Sequence, residues 1–376
     1  MKVATVESRS RRTLLKSMLI GGAACGSGFF SMILYWQRAE ACSRILWHNS
    51  LGTYVGRNED WYTDCPVDLW VLPRGMERDG GAADSNSYKW KSRYGSLVIT
   101  MYDRLSMSGV NERGLSSHVL WLDDTKVAPR NAKEPGLSIS LWMQWILDNC
   151  TSVQEAADAM QRPPFQLRMA VDPDGTPGLF HVSIEDATGD SAIFEMIDGQ
   201  MKIYRDRKYI MLTNQPSYDK QLAILSQYAG FGGNKPLPGT LEPADRLARG
   251  AYYAKNLPDP KDERDAIATL MSVMRTVGAP VGLPTPERKA FLFDQVSRSI
   301  FRLIINLNQR VLYFDRIYSP AVFWVRLAGL EFSEAAPVKK ISVNNNDLAF
   351  DVTDKFKPAE MFTFAPATES ILGHTS

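Results

Sequence analysis

The sequence Ala39-Glu40-Ala41-Cys42-Ser43-Arg44-Ile45 places a cysteine directly after an A-x-A motif. Signal peptidase recognises such motifs by their small side chains. Cleavage after Ala41 gives Cys42 a free α-amino group in addition to its thiol. Because an α-amino group has a pKa of about 7.7–8.0, this one residue can supply both a nucleophile and a base near neutral pH.

The residues before Cys42 have the features of a bacterial export signal. Ser10-Arg11-Arg12-Thr13-Leu14-Leu15-Lys16 is typical of a twin-arginine signal, and an uncharged stretch, 18–36, follows it. We therefore expect residues 1–41 to be a signal peptide that is removed, and the mature protein to be periplasmic. Two alternatives stay open. One is an uncleaved membrane anchor, because 19 uncharged residues nearly span a bilayer. The other is a lipoprotein attached through Cys25.

Composition is that of an ordinary globular protein. The chain has 376 residues, of which 44% are apolar and 23% charged, and its formal net charge is +1. This balance gives no electrostatic reason to expect a nucleic-acid partner. The histidines lie too far apart for the short spacing of a metal cluster, so we expect neither a metal nor another cofactor. They are His48, His118, His181 and His374.

Four cysteines are too few for a disulfide framework, and Cys25 falls in the leader. Among the other three, Cys65 and Cys150 could pair in an oxidising periplasm. Twin-arginine substrates are usually folded before export, which favours two free buried thiols instead.

The mature chain alternates between β-rich and helical segments. Strands are predicted at 44–48, 53–57, 69–72, 97–102, 116–122, 179–184, 192–196, 201–204, 209–212, 300–306, 310–317 and 321–327. Helices are predicted at 138–150, after the capping box Ser152-Val153-Gln154-Glu155, and within 218–276, with breaks at 230–239 and Pro258. Hairpin-like spacing favours antiparallel sheets, and the pattern indicates one layered α+β domain over residues 42–376.

A charged motif, Val55-Gly56-Arg57-Asn58-Glu59-Asp60, follows the first predicted turn. A hairpin turning at 49–52 brings Arg57 and Asp60 next to Cys42. Arg57 could stabilise the thiolate, and Asp60 could orient the α-ammonium through a charge-assisted hydrogen bond. The alternatives are an ordinary surface Arg–Asp pair and a cysteine that is only a small buried hydrophobe.

Four segments follow Cys42 in order along the chain. They are Gly56-Arg57-Asn58-Glu59-Asp60, Gly109-Val110-Asn111-Glu112-Arg113-Gly114-Leu115, Leu212-Thr213-Asn214-Gln215-Pro216-Ser217-Tyr218-Asp219 and Pro243-Ala244-Asp245-Arg246-Leu247. Together with a cysteine at a processed N-terminus, these motifs resemble the choloylglycine hydrolase family. That family comprises conjugated bile salt hydrolases and penicillin V acylases, which are N-terminal-nucleophile hydrolases. The resemblance implies a four-layer αββα sandwich with antiparallel sheets, and a homotetramer.

The resemblance also implies roles for individual residues. Cys42 is the implied nucleophile and base, with Arg57 and Asp60 beside it. Asn214 is expected to donate its side-chain amide to the developing oxyanion, and Arg246 to help set the charge around the thiol. Without the ordered motifs, the sequence would favour the alternative interpretations. These are a turn asparagine for Asn214 and a solvated helix face for Arg246.

One position departs from the family pattern. Many bile salt hydrolases carry an asparagine that assists the oxyanion hole ten residues beyond the asparagine of the second motif. In this chain that position is Trp121. Its indole N–H can donate, or the role falls to a backbone N–H or is lost. Trp121 and Trp61 are candidates for lining an acyl pocket, with core packing as the alternative.

These observations lead to two hypotheses of different class. The first is hydrolysis of a linear N-acyl amide through an acyl-thioester, with penicillin V and N-acyl homoserine lactones as expected substrates. Conjugated bile salts are the alternative substrates within the same family. The second is a non-catalytic exported binding protein in which Cys42 is merely buried or lipid-modified.

Overall fold

Two large β-sheets lie at the centre of the described chain. The computed structural model describes residues 42–61, 65–171, 175, 177–228, 236–280, 298–345 and 347–368. The predicted signal peptide, residues 1–41, lies outside the described residues. The strands, in chain order, are β1 (Ser43–Asn49), β2 (Gly52–Trp61), β3 (Val67–Leu72), β4 (Glu77–Asp79), β5 (Lys89–Lys91), β6 (Ser96–Met101), β7 (Leu105–Asn111), β8 (Ser116–Trp121), β9 (Gly136–Ser138), β10 (Gln166–Arg168), β11 (Phe180–Glu185), β12 (Ser191–Ile197), β13 (Gln200–Arg205), β14 (Met211–Thr213), β15 (Arg298–Asn306), β16 (Val311–Arg316), β17 (Val322–Arg326), β18 (Lys339–Ser342), β19 (Phe350–Asp351) and β20 (Lys357–Pro358).

The α-helices flank these sheets. They are α1 (Trp142–Asn149), α2 (Val153–Gln161), α3 (Tyr218–Ser226), α4 (Pro243–Lys255) and α5 (Glu263–Thr276). In the described part of the chain, none of the helices has the length and apolar character needed to cross a membrane.

The first sheet has the strand order β14-β1-β2-β15-β16-β17-β19. The second has the order β13-β12-β11-β8-β7-β6-β3-β18-β20. Neighbouring strands run antiparallel in both sheets, apart from the parallel pair β17 and β19. Two small ribbons, β4–β5 and β9–β10, lie outside these sheets.

The order of the layers follows from the faces of the sheets and helices that carry apolar side chains. Val55 and Leu303 of the first sheet share one buried cluster with Val119 of the second, so the two sheets pack face to face. Helices α4 and α5 contact the other face of the first sheet, while α1 and α2 contact the second. The result is a four-layer αββα sandwich with largely antiparallel sheets, which confirms the predicted α+β fold.

Strand alternation determines which side chains of β1 and β2 enter the space between the sheets. On β1, Ile45 packs with the helical layer and Leu46 with the opposite sheet. On β2, the Nδ2 of Asn58 donates to the carbonyl of Met274 in α5, at 2.7 Å. Arg57, one residue earlier, donates to the carbonyl of Val119 in β8, at 2.6 Å. Arg57 therefore faces the second sheet, and Asn58 faces the helices.

The predicted strands are present, and the differences concern their ends and the strands between them. Strand β2 continues to Trp61, beyond the predicted end at Arg57, because its charged residues are buried and its backbone stays paired with β15. Strand β7 was not predicted, because buried serines and a glycine interrupt its apolar residues. The helix predicted at 138–150 begins with a 3-10 turn, Ile139–Leu141, before α1. Ser152 caps α2 as predicted, accepting from the amide of Glu155 at 3.2 Å.

Candidate active site

Cys42 lies at the start of β1, between β2 and β14. Ser43 pairs with Asn58 on one side and with Thr213 on the other. One position further back, Cys42 is therefore flanked by the residues that follow these partners, Glu59 and Asn214. The antiparallel register thus brings together residues far apart in the sequence.

The thiol of Cys42 is only 2% exposed. Its Sγ donates to Oε1 of Glu59 at 3.2 Å and lies 3.8 Å from the carbonyl oxygen of Asp60. Burial raises the pKa of the thiol to about 12, although the charge of Arg57 opposes this rise. At neutral pH the thiol is therefore protonated, and it has to lose its proton before it can attack.

Arg57 is fully buried beside this thiol. Its Nη2 donates to Oε2 of Glu59 at 2.8 Å and to the carbonyl of Val119 at 2.6 Å, and its Nη1 donates to the carbonyl of Asn58. Burial alone would lower its pKa, but Cys42 in its ionised form and the carboxylates of Glu59 and Asp60 raise it. Arg57 is therefore a fixed positive charge that acts on both the thiol of Cys42 and the carboxylate of Glu59.

Asp60 carries a buried carboxylate without a hydrogen-bond partner of ordinary geometry among the described residues. Burial raises its pKa to about 6, opposed chiefly by the nearby charge of Arg246, and also by the Ser299 hydroxyl and by Arg57. A buried charge without hydrogen bonds is costly. An α-ammonium group on Cys42 would relieve that cost.

Asn214 and Arg246 lie on the other side of Cys42. Arg246 donates through Nη1 to the carbonyl of Cys42 at 2.5 Å and to Oγ of Ser43 at 2.7 Å. Its Nη2 donates to Oδ1 of Asn214 at 3.1 Å. Burial lowers the pKa of Arg246 to about 10, so it stays charged at neutral pH. Arg246 is fully buried, so the alternative of a solvated helix face is wrong.

The side-chain amide of Asn214 is held in one orientation through its oxygen atom, while its nitrogen is available as a donor. Because Oδ1 is held by Arg246, the orientation of the amide is set, and Nδ2 is left buried with no hydrogen-bond partner among the described residues. Unpaired buried donors are uncommon in folded proteins. A donor held in this way can bind an oxyanion without reorganising.

The two predicted pocket tryptophans, Trp61 and Trp121, lie side by side in the buried cluster between the sheets. The rings of Trp61 and Trp121 are 6.2 Å apart, and Phe180 meets Trp121 edge-on at 6.2 Å. The indole N–H of Trp121 donates to Oδ1 of Asp123 at 2.6 Å. This N–H is therefore already used and does not serve as a second oxyanion donor. Both rings are buried, at 4% and 5% exposed, as the core-packing alternative expects.

Sequence reasoning missed two residues of this region. Glu59 contacts the nucleophile itself, and its position two residues after Arg57, on the same strand face, was the available signal. Gln215 accepts from the amide of Asp123 at 3.1 Å, while its buried Nε2 has no partner among the described residues. The remaining cysteines, Cys65 and Cys150, are both buried, and no disulfide joins them. Across the described ranges, no cluster of three or more His, Cys, Asp or Glu side chains could hold a metal ion.

Comparison with known proteins agrees with this geometry. A family model for linear amide C–N hydrolases of the choloylglycine hydrolase family matches residues 42–340. The chain belongs to this family. The penicillin V acylase of Pectobacterium atrosepticum is 32% identical over 375 residues, which span 92% of this hydrolase and 98% of that protein. A bile salt hydrolase/transferase of Bifidobacterium longum is 24% identical over 75% of the chain and 93% of its own length.

Solved structures of the family also superpose on this hydrolase. The penicillin V acylase of Agrobacterium tumefaciens has 35% identity and a TM-score of 0.77, covering 86% of this chain and 99% of that one. A conjugated bile acid hydrolase of Clostridium perfringens has 18% identity and a TM-score of 0.68, covering 82% and 98%. At that identity the second likeness concerns the fold alone. The chain is thus an amidohydrolase with the fold of N-terminal-nucleophile hydrolases.

Proposed function

We propose that this protein is an exported acylase that hydrolyses linear N-acyl amides of the penicillin V type, with Cys42 as its N-terminal nucleophile. One observation supports the proposal above all: two buried polar groups beside Cys42 have no hydrogen-bond partner of ordinary geometry among the described residues. They are Nδ2 of Asn214 and the carboxylate of Asp60. A substrate carbonyl oxygen would satisfy the first, and a free α-ammonium group would satisfy the second.

The proposed reaction follows from these positions. The sulfur of Cys42 attacks the amide carbonyl, and the oxyanion forms against Nδ2 of Asn214. The α-ammonium group, oriented by Asp60, gives a proton to the leaving amine, and water then hydrolyses the thioester. Arg246, bound to the Cys42 carbonyl, keeps the nucleophile and Asn214 in a fixed relation.

Two lines of support favour an aromatic or extended acyl group. The relatives called penicillin V acylases are 32% and 35% identical to this chain, against 24% and 18% for the two bile salt hydrolases. Trp61, Trp121 and Phe180 form an aromatic wall whose flat faces suit the phenoxy ring of penicillin V. N-acyl homoserine lactones have the same linear amide bond and are proposed as natural substrates.

Export is proposed from the leader sequence. The twin-arginine motif at 10–16, the uncharged stretch at 18–36 and the A-x-A site before Cys42 occur in the order of an export signal. On this proposal the precursor is inert, because its Cys42 nitrogen is part of a peptide bond. The homotetramer implied by the family likeness stays a prediction, which light scattering of the purified protein can check.

The test compares Cys42→Ser with the wild type on penicillin V, an N-acyl homoserine lactone and glycocholate. Cys150→Ser, which changes another buried thiol away from the site, is the matched control. We expect Cys42→Ser to abolish amine release and Cys150→Ser to retain it. Equal turnover by Cys42→Ser and wild type removes Cys42 from the mechanism. Turnover of glycocholate alone assigns the protein to bile salt hydrolysis, and no turnover at all favours a binding protein.

A further inference from the structure

Glu59 is a buried carboxylate in direct contact with the nucleophile. Oε1 accepts from Sγ of Cys42 at 3.2 Å, and Oε2 accepts from Nη2 of Arg57 at 2.8 Å. All three side chains are almost completely buried. We propose that Glu59 is the catalytic base that takes the thiol proton of Cys42, while the α-amino group serves the leaving amine. This inference rests on the proposed function of Cys42.

The thiol needs a proton acceptor close at hand. With a pKa of about 12, fewer than about one thiol in ten thousand ionises unaided at neutral pH. Burial raises the pKa of Glu59 to about 7, although Arg57 and the hydrogen bond from Cys42 oppose the rise. A base of this pKa is well matched to a reaction near neutral pH. Glu59 thus has both the geometry and the basicity for the step.

The proton transfer conserves charge. The S–H bond of Cys42 breaks, an O–H bond forms on Oε1 of Glu59, and the negative charge moves from the carboxylate to the sulfur. Before the transfer the positive charge of Arg57 is balanced by Glu59, and afterwards it is left to stabilise the thiolate. Arg57 does not have to move, because the carbonyls of Asn58 and Val119 hold it. No new net charge is created in the buried site, where an uncompensated charge is costly.

Glu59 and Asp60, two successive residues of β2, then have different roles in proton transfer. Alternation places Glu59 on the thiol side and Asp60 on the helical side of the strand. In acylation the thiol proton goes to Glu59, and the α-ammonium group protonates the leaving amine. In deacylation the neutral α-amine takes a proton from the attacking water, and Glu59 returns its proton to the departing sulfur. Every proton is restored after one cycle.

The charged groups around Glu59 are few among the described residues. Cys42, Arg57 and Asp60 are the groups that shift its pKa. On the facing strand β8, His118 is neutral, because burial and the charges of Arg57 and Arg44 lower its pKa. An ionisation near pH 7 in the reactivity of Cys42 therefore has three candidate sources: Glu59, the α-amino group, and Asp60, whose pKa burial raises to about 6.

Glu59→Gln distinguishes Glu59 from the other two sources. We measure the pH dependence of Cys42 alkylation by iodoacetamide in the mature protein, and of kcat/KM for the amide that it hydrolyses. We expect the wild type to show an ionisation near pH 7 that disappears in Glu59→Gln, and kcat/KM to fall about 10²–10⁴-fold. Glu185→Gln is the control, because Glu185 forms a similar buried ion pair with Arg44, at 2.9 Å. Its alkylation profile should keep the wild-type form.

Persistence of the ionisation near pH 7 in Glu59→Gln assigns it to the α-amino group or to Asp60 and overturns the proposal. If Glu59→Gln does not fold, Glu59→Asp decides, because it withdraws the carboxylate from Sγ by one methylene group. A fall in kcat/KM of at least about tenfold then supports the proposal, and an unchanged value overturns it. Alkylation requires no substrate, so a profile that follows Glu59 in a protein without amidase activity refutes the proposed function and not the role of Glu59.

Discussion

Asn214→Ala removes a side-chain donor, Nδ2, that is buried beside Cys42 and has no hydrogen-bond partner among the described residues. We expect it to lower kcat about 10²–10³-fold, which corresponds to about 2.7–4 kcal/mol of transition-state stabilisation. KM should change little, because the donor binds charge that is present mainly in the transition state.

The structure predicts that this loss occurs with little change in stability. The substitution removes the hydrogen bond from Arg246 to Oδ1, at 3.1 Å, which is worth about 1.5–3 kcal/mol for a charged donor. It also removes the unsatisfied Nδ2, whose burial costs about 1–3 kcal/mol. The two effects offset each other, so the free energy of unfolding should change by less than about 1 kcal/mol.

The assay combines steady-state kinetics with urea unfolding, and Asn306→Ala is the matched control. Asn306 is an equally buried asparagine, but its Nδ2 donates to Glu263 at 3.0 Å and its Oδ1 accepts from the amide of Gln309 at 3.1 Å. We expect Asn306→Ala to lose about 1–3 kcal/mol of stability and to keep its kcat. If Asn214→Ala keeps its kcat, or loses activity only in proportion to a loss of stability, the oxyanion role is refuted.

Three further predictions concern packing, thiols and pH. Gly56→Ala places a methyl group 2.6 Å from Sδ of Met274, so thermal unfolding should show a loss of stability of about 1–3 kcal/mol. Gly239→Ala is the control and should leave the stability unchanged, because nothing lies within 4 Å of the added methyl group. In denaturant without reductant, the mature protein should titrate three thiols, those of Cys42, Cys65 and Cys150, and a single thiol would reveal a disulfide. Burial raises the pKa of Glu59 from 4.5, its ordinary value, to about 7 in the folded protein. Protonated Glu59 therefore stabilises the folded protein fully below pH 4.5, and this stabilisation is lost as the pH rises through 7. Relative to Glu59→Gln, the wild type should lose up to about 3 kcal/mol over this range in urea unfolding, and a gain would contradict the assignment.

Much of the fold was predictable because its strands are apolar and its turns carry typical turn residues. The β1–β2 hairpin was predicted from the turn at 49–52, and the register shows Arg44 opposite Arg57. Strand β7 was not predictable in the same way, because Ser106 and Ser108 are polar although the strand is fully buried. Tertiary packing, which a local pattern does not report, decides such cases.

The residues of the candidate site that lie in the ordered motifs could be predicted from the sequence. Asn214 and Arg246 were assigned by resemblance, and the structure places both beside Cys42 through hydrogen bonds of Arg246. Glu59 was not singled out, because a glutamate in a charged run reads locally as a solvated residue. Its contact with Sγ arises only when β1 and β2 pair, so the tertiary structure was needed to find it.

The proposed mechanism requires Cys42 to be the first residue of the active enzyme, with a free α-amino group. N-terminal sequencing and the intact mass of the exported protein, taken from a preparation that hydrolyses its amide substrate, test this requirement. We predict a chain that begins at Cys42 with no modification of its nitrogen or sulfur. An active preparation that retains residues before Cys42, begins after it, or carries a lipid on its sulfur would contradict the proposed mechanism.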